Sequence, residues 1–173
     1  MRLHLIGMPG AGKTTLGRGL AVAYEVPFLD LDEEIVRQEG RSIPDIFAAE
    51  GEEYFRVREA AVLRDPIVRY PEVVLATGGG TPCFHNNLDV LLETGITLYL
   101  EVPVEKLVDR ILAAHKTRPL LAGEPDAAAL EARLRETLRL RERFYSRAPL
   151  CCQASACTIH NVRQLLARYQ ASA

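Results

Sequence analysis

A chain of 173 residues with 48% apolar and 25% charged side chains is sized for one domain around one core, and this balance excludes disordered, collagen-like and coiled-coil classes. With 21 Lys and Arg against 23 Asp and Glu the net charge is −2, so no basic field points to nucleic acid or to a membrane surface. No apolar run reaches the roughly 18 residues of a membrane span, and the turn at Gly7 ends the first apolar segment too soon for a secretory leader. A cytoplasmic, monomeric protein that binds neither nucleic acid nor membrane is the expectation. Of the cations 18 are Arg and three are Lys. Arg forks suit carboxylates and phosphates, which permits anion chemistry without proving it.

In chain order, residues 3–6 form an apolar strand, followed by a Gly-rich turn and a helix over 13–24. Further strands are expected at 26–31, 73–77 and 96–102, with a weaker fifth at 156–160 before a closing helix at 162–169. Strands separated by helices imply parallel βαβ units with both sheet faces covered, an α/β fold. Two stretches interrupt the alternation. The first, 32–70, is too long for a simple crossover and holds a helix start at Ser42, with Pro44 in the first turn. The second, 116–126, carries Pro119, Gly123 and Pro125 between two helical patterns and reads as a lid. Cys83, Cys151, Cys152 and Cys157 lack C-x-x-C or metal spacing and are expected as free thiols.

The strongest chemical signal is Gly7-Met8-Pro9-Gly10-Ala11-Gly12-Lys13-Thr14, a complete G-x-x-x-x-G-K-[ST] between a strand and a helix. Its backbone N–H groups wrap phosphate oxygens, Lys13 sets a charge near the β- and γ-phosphates, and Thr14 offers a hydroxyl to Mg²⁺. The helix that starts there turns its positive end toward the same anion. Asp30 and Asp32 follow at the C-terminal end of the second strand, where i and i+2 share a face. One can support Mg²⁺ through water, and the other can orient an acceptor hydroxyl and take its proton. Capping of the next helix is the plainer use of such a pair. Gly78-Gly79-Gly80 closes the third strand and implies close approach by a ligand or another chain segment.

Most of the Arg residues must be solvated. Arg141 differs, because it falls on the apolar stripe of Leu130, Leu134, Leu138 and Tyr145 and must either snorkel out or meet an anion. Arg118 opens the lid segment, and Arg56 follows Phe55 in the insert.

These motifs together resemble the shikimate kinase family. The resemblance runs in order through 7–20, Phe28-Leu29-Asp30-Leu31-Asp32, Gly40 to Phe47, Gly51 to Arg56, Thr77 to Gly80 and Arg118-Pro119-Leu120-Leu121, spanning about 3–145. It implies a single P-loop kinase domain over 1–173, a three-layer sandwich with a five-stranded parallel sheet of order 2-3-1-4-5. It also implies a substrate-binding insert (32–70), a lid (116–126), and ATP-dependent phosphorylation of the 3-hydroxyl of shikimate on the route to aromatic amino acids. Carried over residue by residue, Gly10, Ala11, Gly12, Lys13, Thr14 and Thr15 would hold the ATP phosphates, with Thr14 and Asp30 on Mg²⁺. Asp32, Arg56, the Gly78–Gly80 run and Arg141 would bind shikimate, with Asp32 as base beside the catalytic Lys13. Arg118 would reach the phosphates from the lid, and Arg110 would stack on the adenine beside a loop near 157–162. Pro9 departs from the pattern and resembles adenylate kinase loops.

Kinases for gluconate or a nucleoside monophosphate would keep the P-loop and lid without the shikimate-like set. A regulatory GTPase would need D-x-x-G and N-K-x-D, which the sequence lacks. A non-catalytic nucleotide-binding protein would be expected to lose the charged residues that stand here.

Overall fold

In a computed structural model, which describes residues 1–116 and 126–172, five strands form one sheet: β1 (Arg2–Ile6), β2 (Phe28–Asp30), β3 (Val73–Ala76), β4 (Ile96–Glu101) and β5 (Leu150–Gln153). Their order is β2-β3-β1-β4-β5, every neighbouring pair parallel, as the resemblance implied. The helices among the described residues are α1 (Lys13–Tyr24), α2 (Leu31–Glu39), α3 (Ile43–Arg69), α4 (Asn87–Thr94), α5 (Val104–Lys116), α6 (Ala127–Tyr145) and α7 (Ile159–Ser172).

Both sheet faces are covered. Leu5 of β1 approaches Gly17 of α1, while its neighbour His4 bonds Leu91 O of α4 at 2.9 Å. Adjacent strand residues point to opposite faces, so α1 and α4 lie on opposite sides of the sheet. All four residues of the inner strand β3 are buried, and such strands carry continuous apolar runs. Because every strand is parallel, the P-loop after β1, the acidic pair after β2 and the glycines after β3 all open on one edge. The chain leaves central β1 for β2 and β3 on one side and returns for β4 on the other, a topological switch of the kind where α/β folds bind ligands.

Three expectations are corrected. The second strand ends at Asp30 rather than 31, because Asp30 caps α2: its Oδ1 accepts from Asp32 N at 3.0 Å and Glu33 N at 3.4 Å. Asp32 thus stands in the first helical turn, where strand periodicity does not apply. The fifth strand is Leu150–Gln153, not 156–160. Leu150 and Cys152 turn inward while Cys151 and Gln153 face out, and Thr158 Oγ1 accepts from Asn161 N at the start of α7, so 159–160 are helical. A four-residue edge strand containing two cysteines gives little apolar signal.

The third correction concerns the cysteines. Cys152 and Cys157 form a disulfide with Cα atoms 5.4 Å apart, leaving Cys83 and Cys151 free. Residues 154–156 make a single 3₁₀ turn, which folds the chain back far enough to bring the two within bridging reach. Closing so short a loop stabilises a fold by about 2 kcal/mol in the chain-entropy account. Reduction is therefore expected to lower the urea midpoint by that equivalent and to raise the titratable thiols from two to four. The variant Cys157→Ser should match the reduced protein.

The insert forms α2 and α3, and α3 is broken at Gly51 (φ 80°, ψ 176°) into two helices meeting at a kink. Ser42 caps it as expected, its Oγ accepting from Asp45 N. The body of the segment read as a lid, with Arg118, lies outside the described residues.

Buried His4 offers a pH test of the core. Burial pushes its pKa down to about 4, and its Nε2 lacks a partner among the described residues. With the folded value below the unfolded one near 6.5, its contribution is full above pH 6.5 and is lost as pH falls through about 4. The stability difference between wild type and His4→Gln should shrink by about 3 kcal/mol across that window, as read from urea unfolding at each pH.

Candidate active site

The loop from Gly7 to Gly12 needs its glycines for stated reasons. Gly7 has φ 141°, and a Cβ there would fall 2.7 Å from Leu100 O. Gly12 (φ 96°, ψ 18°) caps α1 in the left-handed region, where L-residues with side chains are strained. Lys13, the first residue of α1, folds back so that Nζ donates to Gly7 O at 2.8 Å and Met8 O at 2.9 Å. Burial pulls its pKa down to about 8, opposed by the charges of Asp32 and Asp30, so the ammonium stays protonated at neutral pH.

The loop lines a cavity of about 790 Å³ with Thr14, Asp30, Asp32, Gly78, Gly79 and Arg110, a size suited to small-molecule ligands. Gly10, Ala11, Gly12, Lys13 and Thr15 are also on its wall. At the Thr14 side of the cavity, Thr14 Oγ1 donates to Asp30 Oδ2 at 2.6 Å. Two hard oxygen donors from separate elements suit Mg²⁺, which keeps most of its shell for water and phosphate. No cluster of three or more His, Cys, Asp or Glu suited to a metal occurs among the described residues, so a cage built wholly from those ligands is not available there. Asp30 caps α2 with one oxygen and turns the other to Thr14.

Gly78 and Gly79 line the same cavity, and each of the three glycines is backed by a different side chain. A Cβ at Gly78 would fall 2.9 Å from Asp32 Oδ1, one at Gly79 2.9 Å from Arg141 Nη1, and one at Gly80 2.7 Å from Arg56 Nη2. At Gly79 the rigid Pro9 ring, with Cδ 2.7 Å from a Cβ, also presses in, and the run brings side chains of α2, α6 and α3 onto one short segment. Arg141 emerges from the stripe as expected: Leu130, Leu134 and Tyr145 are buried, with Leu138 half-buried beside them.

Arg56 lies over the Phe84 ring at 4.2 Å and donates to Glu59 Oε2 at 2.9 Å and Glu52 Oε1 at 3.2 Å. Glu59 is a site residue that the motifs do not single out. It is 1% exposed and also accepts from Thr81 Oγ1 at 2.6 Å, so it locks Arg56 to the glycine segment. Its only sequence signal is the i, i+3 spacing from Arg56.

Asp32 is strongly perturbed by this setting. Burial first, then the nearby charges of Asp30 and Glu59, push its pKa up to about 6, against the pull of Lys13 and Arg56. That value sits near the working range of a general base. Arg110 reaches the other wall, where Nη1 donates to Ala11 O at 2.9 Å and Gly10 O at 3.2 Å. It therefore braces the P-loop from α5. Cys157 and Thr158 line the same cavity, so the loop expected beside the base does border the site.

A family model described as "Shikimate kinase" matches residues 9–169. The shikimate kinase of Bordetella pertussis is 43% identical over 171 residues, 98% of this chain and 78% of that protein. Among solved structures, the shikimate kinase of Bacteroides thetaiotaomicron superimposes with a TM-score of 0.88 at 32% identity, covering 96% of this chain and 98% of the other. That of Acinetobacter baumannii in complex with shikimate gives 0.83 at 38%, covering 99% and 93%.

Proposed function

The chain belongs to the shikimate kinase family, and from that premise we propose that it moves the γ-phosphoryl group of ATP to the 3-hydroxyl of shikimate with Lys13, Asp32 and Arg141 as working groups. The products are ADP and shikimate 3-phosphate. One observation carries the division of labour: a single cavity has the P-loop on one wall and Asp32, Gly78 and Gly79 on another, and Arg141 and Arg56 abut Gly79 and Gly80 of the same glycine run. The donor anion belongs to the first wall and the acceptor to the second.

Residues 10–15 cradle the phosphates, and Lys13 exchanges its two carbonyl acceptors for phosphate oxygens. Thr14 and Asp30 are the residues that would hold Mg²⁺, whose charge offsets that of the β- and γ-oxygens when it is bound. Asp32 orients the acceptor hydroxyl and takes its proton. Arg141 and Arg56 grip the shikimate carboxylate, Gly78–Gly80 lets the ring approach, and Glu52, on the exposed side of Arg56, yields to that carboxylate. Arg110 keeps the loop in shape and borders the base. Arg118 and the 116–126 lid are assigned to closure over the phosphates on resemblance alone, and 32–70 to acceptor binding. Each named group comes from one chain, so a monomer suffices. A cytoplasmic setting would supply the ATP that this reaction consumes.

The test is ADP release in a coupled assay with shikimate, gluconate or AMP as acceptor. Turnover with shikimate at least a hundredfold above the other two is expected, and equal rates would remove the acceptor assignment. Within the site, Arg141→Lys should weaken shikimate by about 1–3 kcal/mol, since an ammonium cannot reproduce the bidentate fork. ATP analogue binding should hardly change. Calorimetric titration of both ligands decides it, and equal losses would make Arg141 a packing residue.

A further inference from the structure

Tyr145 of α6 is fully buried, yet it holds a polar contact that the phosphoryl transfer outlined above does not use. Its Oη donates to Gly79 O at 2.6 Å and lies 3.8 Å from Met8 Sδ in the P-loop. Its ring stacks on Tyr99 of β4 with centroids 5.1 Å apart. One helical turn earlier stands Arg141, against the same glycine. Gly79 is also packed by Pro9 of the P-loop, whose Cδ would lie 2.7 Å from a Cβ there. Gly79 is thus wedged between the nucleotide loop and α6, with Tyr145 reaching both.

We propose that Tyr145 is a positioning residue for the acceptor: its hydroxyl fixes the Gly79–Gly80 peptide and so sets the glycine wall in register with Arg141 and the P-loop. The physical reason is the peptide's rigidity. A peptide unit is planar and trans, so holding one carbonyl oxygen orients the Gly80 N–H and fixes both flanking Cα atoms. Those Cα atoms are the ones abutting Arg141 and Arg56. A glycine run has no side chain to restrain it and would otherwise sample many conformations.

A buried phenol bonded to a carbonyl supplies that restraint at one point, and the stack on Tyr99 holds the phenol itself. Burial pushes the phenol's pKa up to about 12 against the Arg141 charge, so the proton needed for this bond is present throughout the working pH range.

The inference rests on reading Gly78–Gly80 as the acceptor wall, and the experiment separates the two. Tyr145→Phe deletes only the hydroxyl and keeps the ring against Tyr99. Steady-state kinetics should show the shikimate KM raised about tenfold, the scale of one buried hydrogen bond lost, with the ATP KM within twofold of wild type. Leu134→Ala, a buried change on the same helix, controls for stability: it should lower Tm at least as much and leave the shikimate KM unaltered. An unchanged shikimate KM in Tyr145→Phe, or an equal rise in Leu134→Ala, would reduce Tyr145 to a packing residue. Gly79→Ala and Arg141→Lys probe the wall directly. If neither raises the shikimate KM, the wall reading itself fails. If both raise it while Tyr145→Phe does not, only the role of Tyr145 is lost.

Discussion

Lys13→Ala is expected to lower kcat by a factor of about 100 or more, some 3 kcal/mol of transition-state stabilisation, while the protein stays folded. In the structure Nζ is 2.8 Å from Gly7 O and 2.9 Å from Met8 O, so the charge is already aimed into the phosphate loop and needs little reorganisation. Alanine is a strong helix former, and removing Lys13 also removes the cost of holding a desolvated ammonium, which its lowered pKa reports. Stability should therefore change far less than activity. Stopped-flow or coupled kinetics on a variant whose circular dichroism matches wild type checks this. Retention of more than about a tenth of kcat would take Lys13 out of the mechanism.

The second large effect is at Asp32. Asp32→Asn keeps the shape and removes the charge and the base, so kcat should fall by about 100-fold or more, within the range for a general base, with ATP affinity little altered. The raised pKa of about 6 adds a sign that can be measured. Below that value Asp32 is protonated and cannot accept, so log kcat/KM of wild type should rise one unit per pH unit up to about 6 and then level off.

The same shift runs the other way for stability. A folded pKa above the ordinary carboxylate value means a contribution that is full below about pH 4 and lost as pH rises through 6. The Asn variant lacks that loss and should be the more stable protein at pH 8. A slow variant that is also less stable at pH 8 would show Asp32 to be a structural anchor.

How much is legible in the sequence follows from how local each signal is. The P-loop, the Ser42 helix cap and the Arg141 stripe depend on spacings within one or two turns, and the fold keeps all three where those spacings put them. The acidic pair shows the limit of local spacing. Strand periodicity points to Asp30 and Asp32, yet the strand stops at Asp30 because its own side chain caps α2. Both residues still line the one cavity, Asp30 from the cap of α2 and Asp32 from its first turn. The strand at 150–153 escapes a sequence reading because pairing with β4 at the sheet edge decides it, against a weak local pattern.

By itself the sequence determined the P-loop motif, the alternation that makes a parallel sheet, and the chemical identity of the groups proposed for the acceptor. Those properties belong to residue type and short-range spacing. Only the tertiary structure decided that Gly78, Gly79 and Gly80 each meet a different charged side chain, from α2, α6 and α3. Glu59 between Arg56 and Thr81, the bond from Tyr145 to Gly79, and the bridge between Cys152 and Cys157 were decided in the same way. These are contacts between groups distant in the chain or turned by a short irregular loop. Their free energy depends on distance and burial in the folded molecule, and neither quantity exists until the sheet has set its strands in order.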